Sequence, residues 1–186
     1  MNHFSYVPLG PGDRCRHLPE PVRAESGRWP KLEAALAVVN RDVLATLPGQ
    51  EPLILMCLPS CAPPCRGATN GDQIYVAMAD GRWQGNQVNA CDPEEGEPPE
   101  PDDAETALGV VAEAAQDTVM ELLWQAWPLC PAHGTGMHLL PPDTGRGWYP
   151  SEAELAGPPA WWCGGGQEDA RHRVSPVGEL AAARAR

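Results

Sequence analysis

Lysine is almost missing from this chain of 186 residues: Lys31 stands alone beside twelve arginines. Such a bias reads as nucleotide composition and carries no functional weight. No window approaches ~18 consecutive apolar residues, so a membrane span is not expected. The first residues, MNHFSYVPLGPGDRCRH, lack the apolar run of a secretory signal. Without that signal, the odd count of seven cysteines makes a disulfide framework a poor reading. A cytoplasmic protein with reduced thiols is the expectation. Also missing are G-x-S-x-G, a phosphate-cradling glycine loop and H-E-x-x-H. The deaminase pair of H-x-E with P-C-x-x-C is absent too, and no segment repeats internally. No residue is therefore assigned a catalytic role.

The formal charge of −12 is unevenly spread. Residues 1–91 balance eight bases against eight acids, whereas DPEEGEPPEPDDAE at 92–105 holds eight acids and no base. The remainder is only mildly acidic. No basic patch invites a nucleic acid, and the near-neutral body argues only mildly against one. A hydrophobic content of 42% is globular, while 22 prolines and 19 glycines predict short elements and much irregular chain.

The expected organisation has three parts. Residues 1–91 form an α+β layer behind an irregular, Pro- and Gly-studded arm. Residues 92–103 form an acidic, proline-rich linker or solvated loop. Residues 104–186 carry a long helix and a small zinc-ribbon-like module. Within the first part, WPKLEAALAVVNRDVLATLPG predicts a helix: Pro30 suits its first position, Leu32, Leu36, Val39, Val43 and Leu47 recur at helical spacing, and Pro48-Gly49 stops it. PLILMC predicts a buried strand, and QIYVAMADGRWQGNQV a hairpin around Asp80-Gly81. DDAETALGVVAEAAQDTVMELLWQA predicts a second helix, capped by Asp102 or Asp103, with a stripe of Leu108, Val111, Ala115, Val119, Leu122 and Ala126. Further on, SEAELAG at 151–157 predicts a helical turn, and AWWC and RHRVSPVG short strands. The fold class is thus α+β, a small antiparallel sheet packed with two helices and followed by the zinc module.

The chemistry concentrates in WPLCPAHGTGMH, residues 127–138. Cys130 and His133 form a Cys-x-x-His pair, which presents a thiolate and an imidazole from one tight turn, the donor types zinc prefers. Cys163, between AWW and GGG, offers a third ligand. His138 would complete a loop of C-x2-H-x4-H with Cys163; His172 is the alternative fourth ligand, giving C-x2-H…C-x8-H. The spacing favours His138, with Gly134 and Gly136 supplying the freedom for a return, because His172 would have to order the stretch after Cys163. Three of the five histidines and two of the seven cysteines share this Trp/Gly/Pro-rich region, and small segments with little aliphatic core usually need a staple. Trp161 and Trp162, beside Cys163, are expected to cover the site rather than face a partner.

WPLCPAHGTGMH…WWC…VSPVGEL resembles the C-terminal module of an uncharacterised family of small actinobacterial proteins, over residues 104–180. The resemblance implies a shared metal knuckle through Cys130, His133, His138 and Cys163. It implies no activity, substrate or partner. CLPSCAPPCRG spaces Cys57, Cys61 and Cys65 with Cys91 further on, a set soft enough for a second metal, but its spacing matches no ligand signature and Cys57 closes an apolar strand.

The functional expectation is a non-enzymatic zinc-binding interaction or adaptor protein with a protein partner. The alternative is a zinc-dependent hydrolase with three ligands, an open position and a carboxylate such as Glu152 or Glu154 as base. A nucleic-acid-binding zinc ribbon stands third.

Overall fold

A computed structural model describes residues 19–60, 71–90, 99–139, 157–165 and 171–181. Cys61, Cys65, Cys91, Glu152, Glu154 and the turn expected at 151–157 fall largely or wholly outside them. Among the described residues no helix is long and apolar enough to cross a membrane. The architecture is α+β, with two helices and two three-stranded antiparallel sheets.

The first sheet runs β1 (Val22–Arg23), β2 (Ile54–Leu58), β3 (Gln73–Ala77) in that order. Leu55 and Cys57 of β2, with Ile74 and Val76 of β3, join the main core, while Ile54, Met56 and Ala77 form a smaller cluster with Trp83. This is the two-residue alternation of a sheet covered on both faces. Trp83 stacks on Tyr75 with ring centroids 5.1 Å apart.

The expected hairpin is only half present. The chain turns after β3 through a Met78 N–H to Arg82 carbonyl bond of 2.8 Å, but no second strand forms among residues 82–90. Residues Gln84 and Gly85 instead lie against the second helix. Its buried Thr118 accepts from the Gln84 amide at 3.3 Å and sits between the Val76 and Gln84 carbonyls. Gly85, at φ +97°, lies where a Cβ would be 3.1 Å from Asp117 Cβ. Asn89 then occupies the free side of β3, accepting from Ile74 N at 2.8 Å and donating to the Asp72 carbonyl at 2.7 Å. The third strand comes from the arm expected to be irregular: Val22 pairs with Cys57 and Arg23 with Met56.

Helix α1 (Pro30–Thr46) starts with proline in its first turn, as expected. Its N-cap residue, Trp29, provides no side-chain cap. The cap comes from elsewhere in the chain: Glu100 Oε1 accepts from the Lys31 and Leu32 amides at 2.9 and 3.0 Å. Lys31 Nζ in turn donates to the carbonyls of Pro101 and Asp102. The end of the acidic stretch is therefore bound to the positive end of α1, where a carboxylate is favoured both by free N–H groups and by the helix dipole. Glu100→Ala is expected to cost about 1 kcal/mol, the usual value of a lost N-cap. A thermal melt checks this, and an unchanged midpoint would remove Glu100 from that role.

Helix α2 (Ala104–Leu123) is capped by Asp103, whose side chain accepts from Thr106 N at 2.7 Å. That bond holds the Asp103 carboxyl below its usual range. The helix ends at Leu123, three residues short of the expected Ala126, and its C-cap Trp124 has φ +54° and is 89% exposed. Val111, Ala115 and Val119 are buried, and one hydrophobic core takes side chains from α1, the first sheet, α2 and the C-terminal segments.

The second sheet orders β4 (Met137–His138), β5 (Ala160–Cys163) and β6 (His172–Pro176). It is fastened to α1 through Asp42. That carboxylate is fully buried and accepts from Trp161 Nε1 at 2.7 Å, Gly178 N at 2.7 Å and Leu180 N at 2.8 Å. Trp127 adds a second tie, donating from Nε1 to Thr46 Oγ1 at 2.8 Å, and meets Trp161 edge-on at 5.5 Å. Gly178 has φ +89°, and a Cβ there would run into Val38 Cγ1 of α1. Only glycine allows the chain so close to the helix. Trp161 and Trp162 are both buried.

Candidate metal centre

Residues 128–137 form a narrow hairpin. Met137 N donates to the Pro128 carbonyl at 2.9 Å, Leu129 bridges Gly136, and Cys130 N donates to the Thr135 carbonyl at 2.8 Å. The tip closes with Gly134 N on the Cys130 carbonyl at 2.8 Å. Gly134 takes φ +68°, the left-handed conformation that such a reversal needs and that glycine adopts without strain. Cys130 and His133 both project from this tip. The hairpin is anchored to α2 by Gln116, whose Nε2 donates to the Trp127 carbonyl at 2.9 Å and the Met137 carbonyl at 2.7 Å.

The second pair of donors comes from the ladder rather than from a loop. Cys163 ends β5, His172 begins β6, and the two are directly opposed in the antiparallel register. Opposed residues in such a ladder project on the same face with Cβ atoms about 4.5–5.5 Å apart. Cys163 is also opposed to Met137 of β4, which brings the hairpin tip and the ladder end together.

The result is a four-residue cluster: Cys130, His133, Cys163 and His172, with one donor atom from each and all four atoms within 4.8 Å of one another. Cys130 Sγ lies 3.5 Å from His133 Nδ1 and 3.8 Å from His172 Nε2, and Cys163 Sγ lies 3.3 Å from His133 Nδ1. The imidazole rings meet at 5.2 Å between centroids, inclined by 60°. Both sulfurs belong to buried residues, while both histidines are partly exposed. These four side chains lie close enough to hold a metal ion.

Cys163 receives further support from the Thr135 hydroxyl, 3.4 Å from its sulfur, and from the Gly165 amide, which donates to it at 3.3 Å. Burial pushes this thiol up, but the bonds from Thr135, Gly165, His133 and Cys130 outweigh it and bring the pKa down to about 7. The local structure thus favours the thiolate, the form that binds metals.

His138, the favoured fourth ligand from spacing, is not in the cluster; His172 takes that place. In β4 the side chains alternate, so Met137 is buried and its neighbour His138 is exposed on the other side, opposite Trp162. The pairing of β5 with β6, rather than the intervening loop, is what brings His172 to the other three donors. That register was the missing signal, and AWWC and RHRVSP, already expected as strands, could have supplied it. Cys57 lies elsewhere, buried in β2, and burial followed by the nearby Asp72 carboxylate pushes its thiol up. It fits a small apolar core residue.

Comparison with protein-family models, curated proteins and solved structures returns no match to this chain.

Proposed function

We propose that the protein binds one zinc ion through Cys130, His133, Cys163 and His172, and that the ion is structural. The supporting observation is the sulfur–nitrogen spacing. Zinc takes sulfur at ~2.3 Å and imidazole nitrogen at ~2.0–2.1 Å, so across a tetrahedral angle the two donors stand about 3.6 Å apart. The cluster gives 3.3, 3.5 and 3.8 Å. Two thiolates neutralise a divalent ion, and two sulfurs with two nitrogens suit zinc better than calcium or magnesium, which take oxygen.

Four protein donors leave no position for a reactive water, and this separates the reading from a hydrolase, whose zinc keeps a site open. On this reading the ion staples the second sheet to the hairpin, and the module works by being folded. An interaction or adaptor role with a protein partner, in a compartment that keeps thiols reduced, follows as the accompanying proposal. Met120, Trp124 and Leu129 are its support, three large apolar side chains standing exposed at the end of α2 and the start of the hairpin. Native mass spectrometry of the purified chain should find one zinc per molecule. A chain purified with added zinc that carries none, or binds it with unchanged stoichiometry after Cys130→Ser and Cys163→Ser together, would sink the reading.

A further inference from the structure

The geometry points to a redox-controlled release of the ion, in which a peroxide converts Cys130 and Cys163 to a disulfide; this inference rests on the zinc reading above. Three observations carry it. The only two sulfurs of the cluster belong to Cys130 and Cys163, which lie within 4.8 Å of one another and flank the same His133 Nδ1 at 3.5 and 3.3 Å. They come from different segments, the hairpin tip and the end of β5, which β4 already holds side by side. The other two donors are imidazoles, which carry no negative charge when they bind a metal, so the sulfurs supply all the negative charge that would retain a divalent cation.

The step balances with hydrogen peroxide as oxidant. One thiolate sulfur attacks a peroxide oxygen; the O–O bond breaks, hydroxide leaves and takes a proton to become water, and the sulfur becomes a sulfenic acid. The second thiolate attacks that sulfur, the S–S bond forms, and the departing hydroxide takes another proton. Two thiolates, one peroxide and two protons give one disulfide and two waters, and the cysteine pair loses two electrons. The sulfurs must close to about 2.05 Å, the length of the new bond. Two imidazoles and no thiolate remain, too poor a set to keep zinc. The disulfide then links the same two segments that the ion had linked, so oxidation exchanges one staple for another rather than simply breaking the fold. Cys57 is an internal control, buried in the other sheet with its thiol pushed up and unfavourable to attack.

The test uses the full zinc-loaded chain, treated with hydrogen peroxide while a colorimetric chelator records free zinc. The expected result is release of one zinc per chain with a mass loss of two hydrogens, a Cys130–Cys163 crosslink on non-reducing peptide mapping, and rebinding after thiol reduction. Cys57→Ser should behave as the wild type. A chain that never carried zinc would overturn the zinc reading and this one with it. Zinc retained while a disulfide maps elsewhere, or zinc lost with both cysteines over-oxidised and uncrosslinked, would overturn the exchange alone.

Discussion

Asp42→Ala should unfold the protein or bring it to the edge of unfolding. The Asp42 side chain is fully buried on α1, and its oxygens accept three N–H groups, from Trp161, Gly178 and Leu180. Alanine would leave all three donors without a partner. A buried orphan donor costs about 1–3 kcal/mol, so the loss reaches several kcal/mol against a total stability of typically ~5–15 kcal/mol. The damage would fall on the joint between α1 and the second sheet, because every donor belongs to that sheet or to the chain that follows it. Asp42→Asn should cost less. Oδ2 accepts two of the bonds and Oδ1 one, so the amide can keep its oxygen towards Trp161 and Gly178 and oppose only Leu180. Urea unfolding should therefore rank wild type above Asp42→Asn, and that above Asp42→Ala. An alanine variant with the wild-type midpoint would show that the joint is held by apolar packing alone.

The helices were legible because their signals are local. Pro30 and the stripe from Leu32 to Val43 define α1, and Asp103 with the stripe through Val119 defines α2. Elements defined by distant pairing were not. Strand β1 is two residues long and exists because β2 offers it an edge, and nothing in the local pattern of the arm marks it. The return strand expected after Gly81 yields to contacts with α2, more than thirty residues away. Glu100 read as one more acid in a solvated run, yet it caps a helix that begins seventy residues earlier. Asp42 left a trace that could have been read: it lies three residues after Val39 and directly before Val43, inside the apolar stripe, where an acid must find donors.

The same distinction governs the metal prediction. His172→Ala should lower zinc affinity by orders of magnitude, whereas His138→Ala should leave it nearly unchanged. His133 and Cys130 owe their placement to a tight local turn, which a Cys-x-x-His spacing announces. The other pair is set by strand register, with Cys163 opposite His172 and Trp162 opposite His138. A one-residue shift in that register would turn His172 away from the cluster, since adjacent strand residues face opposite sides. Removing its imidazole takes one donor from a closed set and leaves the remaining three to share the ion with water. Because binding energy in such a site is largely folding energy, the apo chain and the His172→Ala chain should both lose protection in the hairpin and second sheet, measured by amide hydrogen exchange, before α1 and α2 are affected. His138, exposed and outside the cluster, should show the wild-type pattern. Competition titration against a chromophoric chelator gives the affinities directly. If His138→Ala proved the weaker binder, β4 would have to twist its outward face towards the ion, and the strand pairing that places Met137 opposite Cys163 would be wrong.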